Sequence, residues 1–162
     1  MDMYTVIRTD AMSGTDDRSA VVTCRVFDAQ DKPIAVENGT IVEIVGMVSG
    51  EREVMKAKLA TANSNKAHCA VVATPEVMYD ERKKNLDEFV NEAGKNCRCY
   101  IPRSANRFAV TAKGFVGTVP AVGGSVGIGT GGKLDAASTK PLGSCIAIEP
   151  AGRYTYYVIF VD

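Results

Sequence analysis

The chain has 162 residues, with 19 Lys and Arg against 19 Asp and Glu, 46% hydrophobic and 23% charged residues. That is the length of one domain and the composition of an ordinary globular protein. The even charge balance argues against a general nucleic-acid binder, whose phosphate contacts need clustered cations. No stretch approaches the ~18 consecutive apolar residues of a membrane span.

The N-terminal MDMYTVIRTDAMSG carries acids and lacks the apolar run of a signal peptide. The expectation is a chain that folds in a reducing cytoplasm. Its five scattered cysteines, Cys24, Cys69, Cys97, Cys99 and Cys145, then read as free, mostly buried thiols.

Taken in order, residues 1–18 read as an N-terminal arm and 19–162 as a single β-rich domain. A short apolar patch, Tyr4-Thr5-Val6-Ile7, precedes a polar spacer at 10–17. Two accounts of the patch stand side by side: an arm that docks on a partner, or an edge strand that folds back on its own domain. Residues 19–29 (SAVVTCRVFDA), 40–48 (TIVEIVGMV) and 53–59 (EVMKAKL) read as strands from their β-branched content and alternation. Asn38-Gly39 and Ser49-Gly50 supply the turns between them. Residues 69–73 (CAVVA) form a short, wholly apolar strand.

Asp80 is a good N-cap, and Gly94 fits the position after a helix end. Between them Leu86, Phe89, Val90 and Ala93, with Tyr79, fall on one face, which predicts an amphipathic helix over about 81–93. Residues 97–101 (CRCYI) and 107–111 (RFAVT) alternate and read as paired strands. Residues 143–149 and 153–161 close the chain as a hairpin turning at Pro150-Ala151-Gly152. The aromatic last strand is expected near the centre of a sheet. The sum is a mainly β (α+β) domain, a compact β-barrel or β-sandwich-like fold of about ten short strands with one helix.

The sharpest motif is Gly127-Ile128-Gly129-Thr130-Gly131-Gly132-Lys133. Phosphate-binding glycine loops need a strand before them and a helix after, whose first amides hold the phosphate. Here Leu134 stands where a magnesium-binding Ser or Thr belongs, and Pro141 and Gly143 bar a helix. A hairpin turn between SVGIG and KLDAA is the simpler reading. Cys97 and Cys99, spaced i, i+2, face one side of a strand. With His68 and Cys69 they are the only candidates for a zinc site, but sheet-core cysteines account for them more simply. Adjacent His68 and Cys69 point to opposite faces of a strand, which defeats a Cys-His nucleophile. The acid pairs Asp80-Glu81 and Asp87-Glu88 read as helix cap and solvated face. Lys83, Lys84, Lys95, Arg98, Arg103 and Arg107, with Tyr100 and Phe108, outline a face of the kind that binds single strands in OB folds, diluted by neighbouring acids. No catalytic, cofactor-binding or metal site is expected.

Several phrases together resemble small β-rich proteins encoded beside the major capsid protein of tailed phages: DRSAVV at 17–22, ENGTIV at 37–42, GEREV at 50–54, VVATPEVMYDE at 71–81, LDEFVNEAG at 86–94, GGKL at 131–134 and RYTYYVIFV at 153–161. The chain thus resembles the capsid decoration, or cement, proteins. That resemblance implies a non-enzymatic virion protein on the outer capsid surface, made in the host cytoplasm. It would bind the major capsid protein, self-associate as a homotrimer and stabilise the expanded head by clamping neighbouring subunits. Such proteins often add an N-terminal strand to the shell, which points to Tyr4, Val6, Ile7 and Arg8 as capsid contacts. Alternatives are another phage structural role, in the tail tube or head-tail joint, and an OB-like nucleic-acid-binding module.

Overall fold

The computed structural model describes residues 4–13, 20–78, 82, 85–138 and 141–162. Strands β1 (Val21–Phe27), β2 (Ile41–Met47), β3 (Val54–Leu59), β4 (Cys69–Val72) and β5 (Cys97–Tyr100) close into a barrel in the order β1-β3-β2-β4-β5. Strands β6 (Arg107–Val110), β7 (Ser125–Ile128), β8 (Leu134–Asp135), β9 (Pro141–Ala151) and β10 (Tyr154–Val161) form an open sheet in the order β6-β10-β9-β7-β8. β1 and β3 run parallel, and the other pairs are antiparallel. The mainly β expectation therefore holds, with the strands divided between a barrel and a second sheet.

Side-chain size explains the barrel. Barrel diameter scales with strand number, so five strands leave room only for small residues inside. The interior is Cys24, Val26, Val42, Ala57, Ala70, Val72, Cys97 and Cys99, with Val36 at the connection to β2. β4 is wholly apolar because both its faces are covered: Ala70 and Val72 point into the barrel, while Cys69 and Val71 point outward into a second core.

That second core joins the two sheets. Ile41, Cys69 and Val71 from the barrel's outer wall meet Phe108, Val110, Val126, Ile128, Leu142 and Ile159 from the open sheet. β10 lies between β6 and β9, near the sheet centre as its aromatic and β-branched composition implied. Its alternation serves two layers: Tyr157, Ile159 and Val161 face the joint, and Tyr154, Tyr156 and Val158 face a third, smaller core.

Three expectations are corrected. Residues 86–93 are not helical. Leu86–Glu88 is one 3-10 turn, after which the chain is extended and Asn91 bridges Val36. Residues 79–81, 83 and 84, where the helix was expected to begin, lie outside the described residues. The physical reason is tertiary: Asp87, read as a solvated residue, is 2% exposed and bonded to Tyr154, while Leu86 faces solvent. β5 and β6 are not partners; β5 closes the barrel against β1, and β6 pairs with β10. Finally, residues 4–13 are no free arm. The Arg8 N–H donates to Ala109 C=O and the Thr111 N–H to Val6 C=O, both at 3.0 Å, so the segment lies along β6. Val6 and Ile7 are 2% and 1% exposed. The fold-back account is the one that holds for these residues.

Candidate functional site

The glycine motif forms the joint between the two halves. Residues Thr130–Gly132 make a 3-10 turn linking β7 to β8. Gly131 and Gly132 have φ of 68° and 74°, values that disfavour any side chain. The Lys133 ammonium donates to Glu37 Oε2 at 3.1 Å and to Lys113 C=O at 2.6 Å. Glu37 Oε1 accepts the Thr5 N–H at 3.0 Å. Lysine, barrel loop and N-terminal segment are thus tied together, and β8 follows the glycines where a phosphate site requires a helix.

The cysteines and the histidine do not converge as a metal set. Cys97 and Cys99 point into the barrel, Cys69 into the joint core, and His68 is exposed in a 3-10 turn. Among the described residues no cluster of three metal-ligating side chains occurs. Burial pushes the Cys69 thiol up to about 11 and that of Cys97 up to about 12, so both are protonated at neutral pH.

The cationic face is dispersed as well. Arg98 is exposed on the barrel and Arg107 on the open sheet, while Phe108 is fully buried in the joint core and Tyr100 packs against it. A buried ring offers no stacking platform for bases. Lys83 and Lys84 lie outside the described residues. Of the four expected contact residues, Val6 and Ile7 are in the core, and Tyr4 and Arg8 are half-buried. The Arg8 guanidinium sits 5.4 Å over the Tyr156 ring and 3.2 Å from Asp10.

Two features went unseen in the sequence. One is the anchor of the 85–91 loop. The Tyr154 hydroxyl donates to Asp87 Oδ1 at 3.1 Å, the Arg153 guanidinium lies 3.7 Å from Oδ2, and the Tyr4 N–H donates to Asp87 C=O at 2.9 Å. Beside this loop a cleft of about 640 Å³ opens between Pro75, Val77, Met78, Phe89 and Val90.

The other feature is an open strand edge. β7 pairs only with the first part of β9, ending at Ser125 opposite Ser144. The loop after β6 extends that edge by one step, through Gly123 N–H to Cys145 C=O and Cys145 N–H to Gly124 C=O. Beyond it, among the described residues, no strand pairs with residues 146–151 on that side. Ile146 and Ile148 are 43% and 40% exposed there, and Val119 and Val122 of the adjoining loop are exposed too. Ile-Ala-Ile in the sequence signals a strand with two faces but not which face lacks a cover.

Comparison with protein-family models, with curated proteins and with solved structures found no match.

Proposed function

We propose that this protein is a non-enzymatic virion structural protein that binds the outer surface of a tailed-phage capsid and stabilises the expanded head by clamping neighbouring subunits. The seven phrases that resemble decoration proteins support the phage context. The observation that carries a docking role is the outer half of β9. Among the described residues no strand pairs with its outer edge, and that edge together with exposed Ile146 and Ile148 suits an extended segment of another chain, which would gain main-chain hydrogen bonds with little demand on its sequence. Pro150 has no N–H to offer and blunts the far end of that edge, so pairing is confined to the residues before it.

The docking surface is then β9 and the 119–124 loop, because Val6 and Ile7 belong to the protein's own core. A homotrimer presenting three such edges would hold several shell subunits at once, and modest single contacts would multiply by avidity. The test is co-sedimentation with unexpanded and expanded heads of the phage that carries the gene, with copies counted per particle. Saturable binding to expanded heads at a fixed ratio to the capsid subunit is expected, and Ile148→Lys should reduce it. Absence of binding to both head forms would refute the capsid role.

A further inference from the structure

The seam that closes the barrel, β1 against β5, carries four residue pairs, and two of its members place thiols face to face. Cys24 stands directly opposite Cys97, and Cys99 lies opposite Val22, on the same inward face. All three thiols are buried. We propose that Cys24 and Cys97 form a reversible, peroxide-driven disulfide that staples this seam.

Directly opposite residues of an antiparallel pair have Cα atoms roughly 4.5–5.5 Å apart, inside the roughly 4.4–6.8 Å span that a disulfide bridges. The diagonal from Cys24 to Cys99 is about 7–8 Å in such a ladder, beyond that span. The neighbouring Cys99 holds the Cys24 thiol below the usual thiol range, toward the thiolate, which is the form that reacts. Cys97 is the first residue of β5, preceded by exposed Lys95 and Asn96. Hydrogen peroxide, little larger than water, would have to enter at that strand end, where a peptide-sized oxidant would not fit.

The chemistry balances with hydrogen peroxide as oxidant. The Cys24 thiolate attacks one peroxide oxygen, the O–O bond breaks, and hydroxide leaves a sulfenic acid on Cys24. The Cys97 thiol, protonated because of its burial, then attacks the Cys24 sulfur and passes its proton to the sulfenic oxygen. The S–S bond forms, and the sulfenic oxygen leaves with a proton as water. Two thiols are oxidised and one peroxide becomes two waters. A dithiol reverses the bond by exchange. Because β2, β3 and β4 all lie between the two cysteines in sequence, the staple closes a long loop, the case in which a disulfide most constrains the unfolded chain.

The test exposes the reduced, folded full chain to hydrogen peroxide, caps free thiols with N-ethylmaleimide and maps peptides without reduction. The expected result is one cross-linked pair, Cys24 to Cys97, with two thiols lost per chain and a higher Tm that dithiothreitol reverses. The map is read on the unaltered protein, so it does not depend on a variant that folds. Cys24→Ala and Cys97→Ala should each abolish the cross-link. A Cys69→Ala/Cys145→Ala double variant should keep it, since those thiols face the joint core. A cross-link from Cys24 to Cys99, sulfinic acid on Cys24 without a cross-link, or folded thiols inert at peroxide levels that oxidise the urea-unfolded chain would each overturn the staple.

Discussion

Gly132 packs so tightly on Ile41 that a Cβ on the glycine would lie 2.5 Å from the Ile41 carbonyl oxygen and 2.8 Å from Thr40 Cγ2. Its φ of 74° adds backbone strain for any other residue. Gly132→Ala should therefore cost about 2–4 kcal/mol, combining left-handed strain with overpacking at the joint. Gly50→Ala is the control. It has φ of 81° but nothing within 4 Å of a Cβ, so it should cost only about 1 kcal/mol. Urea unfolding of both variants checks the difference, and equal costs would remove the packing argument.

The Tyr154 hydroxyl donates to Asp87 Oδ1 and accepts the Asp87 N–H at 3.3 Å. Tyr154→Phe keeps the ring and deletes both bonds, leaving a buried carboxylate short of a donor. A loss of about 1–3 kcal/mol is expected, together with faster amide exchange across residues 85–91. Unchanged exchange there would show that the loop is held by other contacts.

Ile7 is part of the joint core, bridged to Val110 on β6. Ile7→Ala should cost about 2–4 kcal/mol from lost burial and the cavity left behind. Deletion of residues 1–13 should lower the Tm of the whole chain. A truncated chain as stable as the full one would mean that the segment is a removable arm after all.

Alkaline pH provides a separate check on burial. Burial pushes the Cys69 thiol up to about 11 in the fold, above the ordinary thiol value of 9.0. A group whose folded pKa is raised contributes its full stability below the unfolded value and loses it as pH rises toward the folded one. The urea midpoint should thus fall between about pH 9 and pH 11, as the unfolded chain gives up thiol protons that the fold retains. Cys69→Ala will be less stable at pH 7 but should show a shallower decline. Parallel declines in the two proteins would show that Cys69 does not carry the effect.

Much of the strand inventory was legible because its signals are local. β-branched runs such as Ile41–Met47 favour the extended chain, and the wholly apolar Cys69–Val72 also requires cover on both faces. The β7–β8 turn was legible for a similar reason: its glycines announce positive φ, and Pro141 and Gly143 forbid the helix a phosphate loop would need. The expected helix failed because its markers, a cap and a 3.6-residue apolar spacing, are also local, while what decides residues 86–91 is distant. Asp87 gains a buried partner in Tyr154, and the Asn91 amide gains Val36 C=O and Asn38 Oδ1, both at 3.0 Å.

The sequence by itself determined the mainly β character, most strand positions, most turns and the buried state of the cysteines, since these follow from side-chain shape and backbone freedom over a few residues. Only the tertiary structure decided that β5 and β6 part into different sheets, that Val6 and Ile7 serve the protein's own core, and that β9 outruns its neighbour and leaves Ile146 and Ile148 bare. Each is a choice among strands of near-equal local propensity. Such choices are made by which faces bury together across the whole chain, and that sum is not contained in any one window of it.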